Sequence, residues 1–217
     1  SHYEEARKRF FEVVDLYPRT DEASFSAGLI LDSFIAENDL EAVRRWSKAF
    51  ATRVLGKAEI PDQYFADQLE GSTFKLAMSL ADAGELEDAA EAFLDFRREF
   101  PASKLAPDAL HNAAIYLQSV GRVEQANRLY EEFVSLYPNN EKSSILYFKI
   151  AANYEATFDL DRAVQYYQQL VRFFPSDVNT PDATYNSAYL QLGLKRYETA
   201  AIGFEQYAER YPDRGDG

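Results

Sequence analysis

Ala89, Phe93 and Phe96 stand at i, i+4 and i+7, the spacing that puts three apolar side chains on one face of an α-helix. The same trio returns at Ala126, Tyr130 and Phe133, at Ala163, Tyr167 and Leu170, and at Ala200, Phe204 and Tyr207. Twelve residues after each trio's alanine comes a proline: Pro101, Pro138, Pro175 and Pro212, spaced 37 residues apart. A further alanine stands 24 residues before each proline, at Ala77, Ala114, Ala151 and Ala188. A fixed period of this size marks a repeat architecture, each unit burying its apolar face against the next. Small alanines let two helices approach closely, and the aromatics fill the remaining gap. Proline cannot continue a helix and so ends the second one. Pro18, with Ala6 and Phe10 behind it, obeys the same rule.

The pattern predicts one helix over residues 3–17, a divergent pair over 21–54 and regular pairs over 64–100, 105–137, 143–174 and 181–211. In the divergent pair Ala42 and Trp46 take the repeat positions, but the proline comes late, at Pro61. Pro107 and Pro181 fall in the first turn of first helices, where a missing N–H costs nothing. Thr180 is the expected N-cap of one of them. Gly84 and Gly121 mark turns between paired helices. Phe158 and Lys195 replace glycine in the last two turns, which predicts that those turns are built differently. Acids precede the repeat alanines by two residues (Glu4, Glu87, Glu124, Asp161, Glu198), in the first turn of each second helix. The positive end of the helix dipole favours them there, so they read as structural rather than catalytic.

These residues resemble the tetratricopeptide repeat, a helix–turn–helix unit of about 34 residues. That unit has a small residue in its first helix, Ala-x-x-x-aromatic in its second and a proline at the end, and the match covers nearly the whole chain. Two features depart from it. The extra residues of the 37-residue period fall after each proline, in the link to the next repeat. The large residue expected early in the first helix is weak, its place taken by Thr73, Leu110, Tyr147 and Thr184. The resemblance implies an all-α, right-handed superhelical solenoid of antiparallel helix pairs, a single array over 1–217. Its parts are a half repeat at 3–18, a divergent repeat at 21–61, regular repeats at 62–101, 102–138, 139–175 and 176–212, and a tail at 213–217.

In such arrays the first helices line the concave surface. Counting back 27 residues from each proline gives Phe74, His111, Phe148 and Tyr185, and one turn further on come Met78, Ile115, Ala152 and Tyr189. Residues one turn apart share a helix face, and large apolar side chains facing solvent in a concavity mark a binding site. Asn112, Lys149 and Asn186 each follow a ladder member and could hydrogen-bond a peptide backbone; Gln118 and Glu155 lie further along. These residues form the candidate protein-binding groove. The alternative is that the ladder packs against the neighbouring repeat. The groove does not resemble the charged clamp by which some family members hold chaperone tails, since only Lys149 and two asparagines stand at the clamp positions.

Composition narrows the chemistry. The chain has no cysteine and two histidines, and neither His2 nor His111 has a second ligand nearby in spacing. No phosphate-binding loop or nucleophile elbow occurs, so the expectation is no catalytic residue, no metal and no cofactor. The net charge of −13 argues against a nucleic-acid partner. Ten acids against three bases between Asp62 and Pro101 read as a solvated acidic face or as a docking patch for a basic partner. No run of 18 apolar residues is present to span a membrane. The Arg-Gly-Asp string at Arg214 sits in a polar tail and reads as coincidence.

The links "PASKLAPDAL" and "PSDVNTPDAT" resemble those of bacterial envelope tetratricopeptide proteins: outer-membrane assembly lipoproteins, Tol-Pal coordinators and gliding-motility components. That resemblance implies a periplasmic or envelope-associated scaffold binding protein or peptide partners, with a cytoplasmic location as the alternative. Two other readings stay open: a structural spacer or oligomerising segment, or the regulatory repeats of an enzyme whose catalytic domain lies outside this chain. The chain begins within a repeat, which leads us to expect a piece of a longer array whose open ends can self-associate.

Overall fold

The computed structural model describes residues 2–52 and 62–214, which form eleven α-helices and no strand. In order they are α1 (His2–Leu16), α2 (Asp21–Ala36), α3 (Leu40–Thr52), α4 (Asp62–Asp82), α5 (Leu86–Glu99), α6 (Ala106–Ser119), α7 (Val123–Leu136), α8 (Ser143–Ala156), α9 (Leu160–Phe173), α10 (Thr180–Gly193) and α11 (Tyr197–Arg210). The all-α expectation holds. The connection from Arg53 to Pro61 and the tail beyond Arg214 lie outside the described residues. The chain divides into two compact units, Ser1–Asn112 and Ala113–Gly217.

The recurrent aromatic-proline pair is a helix stop. Phe100, Tyr137, Phe174 and Tyr211 are the C-caps of α5, α7, α9 and α11, with φ between −125° and −131° and ψ between 54° and 63°. Each still donates its N–H one turn back, to Phe96, Phe133, Leu170 and Tyr207, before the following proline bars αR geometry. The 37-residue period is then absorbed by the link. Two residues past the proline, Ser103, Asn140 and Asp177 accept a bond from the backbone N–H two residues on, at 2.8–2.9 Å. The next helix starts only five residues past the proline, at Ala106, Ser143 and Thr180. After Pro18 the helix starts three residues on, and Thr20 caps it by accepting from Ala23 N–H.

Two sequence expectations need correction here. Thr180 is not the N-cap of α10. Asn179 holds that position without a side-chain bond, and Thr180 lies inside the first turn, donating its hydroxyl to Phe174 carbonyl at 2.6 Å. Ser143 does the same to Tyr137 carbonyl in the preceding link, so this hydroxyl ties a new helix to the end of the last one. The turns at Phe158 and Lys195 are not of a different build either. Gly84 and Gly121 have φ of 84° and 81°; Phe158 and Lys195 take φ of 61° and 60°, and Asn38 takes 56°. All five turns close with the same bond from the next residue's N–H back five residues, as in Asp159 to Tyr154 and Arg196 to Gln191. The helix ending imposes the left-handed residue, whatever side chain the sequence supplies.

Within unit 1, α1, α2, α3 and α4 enclose Val14, Ala27, Ile30, Leu31, Phe50 and Phe65, with Phe10, Phe11, Phe34, Trp46 and Tyr64 packed around them. Within unit 2, Ala126, Tyr130, Phe133, Ala163, Tyr167, Leu170 and Ala200 are all buried, together with Ala114, Ala151 and Ala188 of the first helices. Close approach matters most where α11 meets α10: a Cβ on Gly203 would lie 2.8 Å from Ala188 Cβ.

Candidate functional site

The aromatic ladder residues Phe74, Phe148 and Tyr185 pack first against the second helix of their own repeat. In unit 1 the Phe74 ring meets Phe93 and Phe96 edge-on at 5.0 and 5.2 Å. In unit 2 Phe148 meets Tyr167 at 5.3 Å, and Tyr185 meets Phe204 and Tyr207 at 5.5 and 5.4 Å. These rings are half-buried, because the i, i+4 face of the second helix presents an aromatic directly beneath them. Ile115, His111 and Asn112 are half-buried as well. Two of the four members one turn along are more open, Met78 at 44% and Tyr189 at 57% exposed, while Ile115 and Ala152 are half-buried. Tyr189 lies parallel to Tyr185, ring centroids 6.4 Å apart and planes within 9°. The side chains freest to meet a partner are therefore Met78 in unit 1 and Tyr189 in unit 2.

The polar residues of the same helices are tied to the second-helix tyrosines. Tyr130 donates its hydroxyl to Gln118 at 2.8 Å, and Tyr167, 37 residues later, donates to Glu155 at 3.0 Å. Asn186 also bonds the Tyr167 hydroxyl, and Lys149 Nζ lies 5.4 Å from the Tyr130 ring centroid. Burial pushes the Tyr130 phenol up to about 12. Tyr167 is raised too, by burial and then by the neighbouring Glu155 charge. Lys149 and Asn186 thus hold the preceding repeat's tyrosine, a role that their spacing alone did not disclose. The signal was present in the register: tyrosine stands eight residues before the proline where Gln or Glu stands twenty before it, and phenylalanine where Ala81 or Leu192 stands there.

A second polar chain runs between the helices of unit 2. Asn153 donates to Asn127 at 3.0 Å and accepts from Gln118. Tyr154 donates to Glu131, accepts from Arg162 at 3.0 Å and stacks on Tyr166 at 5.8 Å. Every group in it has a protein partner, which suits a structural fastening. Among the described residues no cluster of three or more His, Asp or Glu could hold a metal ion, and no helix is long and apolar enough to cross a membrane.

Comparison with known families and structures fits this geometry. The tetratricopeptide repeat family model matches residues 72–103, 108–140, 146–177 and 182–214, more than half of the chain. No curated protein matches the sequence. A tetratricopeptide repeat protein from Parabacteroides merdae is 20% identical with a TM-score of 0.53, over 67% of this chain and 55% of that one. BtubC from P. vanneervenii is 15% identical with a TM-score of 0.50, over 100% of this chain and 91% of that one. A MamA protein is 15% identical with a TM-score of 0.50, over 97% and 94%. At these identities the likeness is one of fold.

Proposed function

The chain belongs to the tetratricopeptide repeat family, and from that premise we propose that it is a non-catalytic scaffold holding a protein or peptide partner against the face of its first helices. The observation that carries the reading is the exposure of Tyr189 beside the parallel ring of Tyr185, with Asn186 between them in sequence. A rigid aromatic pair offers large contact area at low entropic cost, and aromatic anchors dominate binding energy in protein interfaces. Within unit 1, exposed Met78 of α4 is a separate candidate contact of the same kind. The likeness of the post-proline links to those of bacterial envelope proteins supports a place in a periplasmic or envelope-associated complex.

The test is affinity capture from the native source with wild type and Tyr189→Ala side by side. Tyr189→Ala should lose the specific partner while its thermal midpoint stays within a degree or two of wild type, as for an exposed residue (about 0.5 kcal/mol or less). Phe148→Ala should instead lower stability, by roughly 2–4 kcal/mol, because its ring packs on Tyr167. Retention of the partner by Tyr189→Ala would overturn the assignment of this face.

A further inference from the structure

Two tyrosine centres in successive repeats of unit 2 carry opposite charge. Gln118 accepts from the Tyr130 hydroxyl at 2.8 Å, and Lys149 Nζ stands 5.4 Å from the centroid of that ring. One repeat later the same two positions hold Glu155, which accepts from the Tyr167 hydroxyl at 3.0 Å, and Asn186, which also bonds it. The neutral acceptor has become an anion and the cation has become neutral. Glu155 is half-buried, and among the described residues it has no basic partner. A carboxylate partly withdrawn from water favours a cation beside it.

Tyr185 precedes Asn186 in α10, and Tyr189 follows one turn along. Tyr64, Tyr130, Tyr154 and Tyr167 each donate their hydroxyl to a protein acceptor. The hydroxyls of Tyr185 and Tyr189 have no protein partner among the described residues and are free to donate to a ligand. Lys149 and Arg162 lie over the Tyr130 and Tyr154 rings, but no cation of the described residues lies over Tyr185 or Tyr189. Open ring faces attract cations, and a net charge of −13 draws a basic partner toward the molecule. The two rings repeat at 6.4 Å in parallel planes. In an extended strand alternate side chains point to one side, about 6.4–6.8 Å apart. Two such side chains can therefore lie over the two rings, while the strand's carbonyls accept from the free hydroxyls.

Taking the tyrosine face as the docking surface proposed above, we infer that its occupant is an extended protein segment with two basic side chains two residues apart. The basic groups cover the Tyr185 and Tyr189 rings, and Glu155 supplies the negative charge that the chain itself leaves uncompensated. Acidic side chains at the same two places are repelled by Glu155 and by the negative ring faces, which gives the face its selectivity.

The test follows the tyrosine ring signals by NMR while the whole chain is titrated with a blocked pentapeptide, Gly-Arg-Ser-Arg-Gly, and with Gly-Gln-Ser-Gln-Gly. The Arg peptide should shift Tyr185 and Tyr189, and the Gln peptide should not. Glu155→Gln should weaken the binding read at Tyr185 about tenfold, through loss of the charge-assisted pairing. That variant copies the Gln118 arrangement of the repeat before, so the Tyr167 hydroxyl keeps an acceptor and the fold is preserved. Tyr189→Leu keeps apolar bulk at an exposed position and should weaken binding about threefold, through loss of the π-face. Equal shifts from the Gln peptide would overturn the basic assignment. Equal shifts from blocked single arginine would overturn the extended segment. Binding of the Arg peptide that survives both Glu155→Gln and Tyr189→Leu would overturn the site. If Tyr189→Ala loses the captured partner while the Arg peptide moves no tyrosine signal, the docking face stands and its basic occupant falls.

Discussion

In α9 the aromatic at the repeat position is Tyr167, whose hydroxyl reaches across to Glu155 of its own first helix. In α3 the same position holds Trp46, which lies 4.5 Å from Phe11 and 5.7 Å from Phe50. From there the ring contacts continue through Phe65, 5.7 Å from Phe50, to Tyr64, whose hydroxyl donates to Asp32 at 2.6 Å. Two successive second helices, α7 and α9, therefore fasten to their first helices with a local ring and a polar tip set 37 residues apart. The start of unit 1 fastens four helices with one non-periodic run of rings. Local fastenings can be exchanged one at a time, whereas a run fails at its middle.

The largest expected effect tests that difference. Phe50 is buried in the middle of the run, and Phe50→Ala should cost about 3–5 kcal/mol, the range for a buried ring left as a cavity. Trp46 is the chain's one tryptophan, so its fluorescence during urea unfolding reports unit 1 directly. The variant should lose the Trp46 transition at a lower urea concentration. A loss below about 1 kcal/mol would mean that the rings are neighbours without being a fastening.

A smaller effect probes the polar tips. Tyr130→Phe removes the bond to Gln118 and should cost about 1 kcal/mol at neutral pH. Its pH dependence is more telling. Burial raises the Tyr130 phenol from 10.0 to about 12 in the folded chain, so the protonated form is the one that folding favours. Its stabilising contribution is complete below pH 10 and is lost as pH climbs toward 12. Tyr130→Phe should move the alkaline unfolding midpoint, read by circular dichroism, to higher pH. An unmoved midpoint would take Tyr130 out of the alkaline transition.

The periodic part of this architecture was legible because one physical requirement repeats. Helices packed at close range need alanine at the crossing, an aromatic beside it and a stop, and Ala163, Tyr167 and Pro175 state all three. The run of rings in unit 1 was not legible, since Phe11, Phe50 and Phe65 keep no common spacing and meet only through the fold. The candidate groove was half legible. Spacing placed Tyr185 and Tyr189 together on one face, but it could not tell that Phe148 would be spent on Tyr167 or that Lys149 would sit over Tyr130.

The smallest effect concerns the five turns, which share one geometry and differ only in side chain. A left-handed residue costs an L-amino acid roughly 1–2 kcal/mol, and glycine is spared that cost while losing more backbone freedom on folding, about 0.5–1 kcal/mol. Phe158 bears the steric cost at φ 61° and is 86% exposed, so its ring returns little by burial. Phe158→Gly should stabilise the chain by about 0.5–1 kcal/mol, while Gly121→Ala, at φ 81° and with open space around its missing Cβ, should destabilise it by about 1 kcal/mol. Thermal unfolding of the two variants measures both signs at once. If Phe158→Gly instead lowers the midpoint, the exposed ring is making a contact worth more than the strain it carries. The five turns would then no longer be equivalent, and Phe158 would stand apart as a residue kept for something other than the turn.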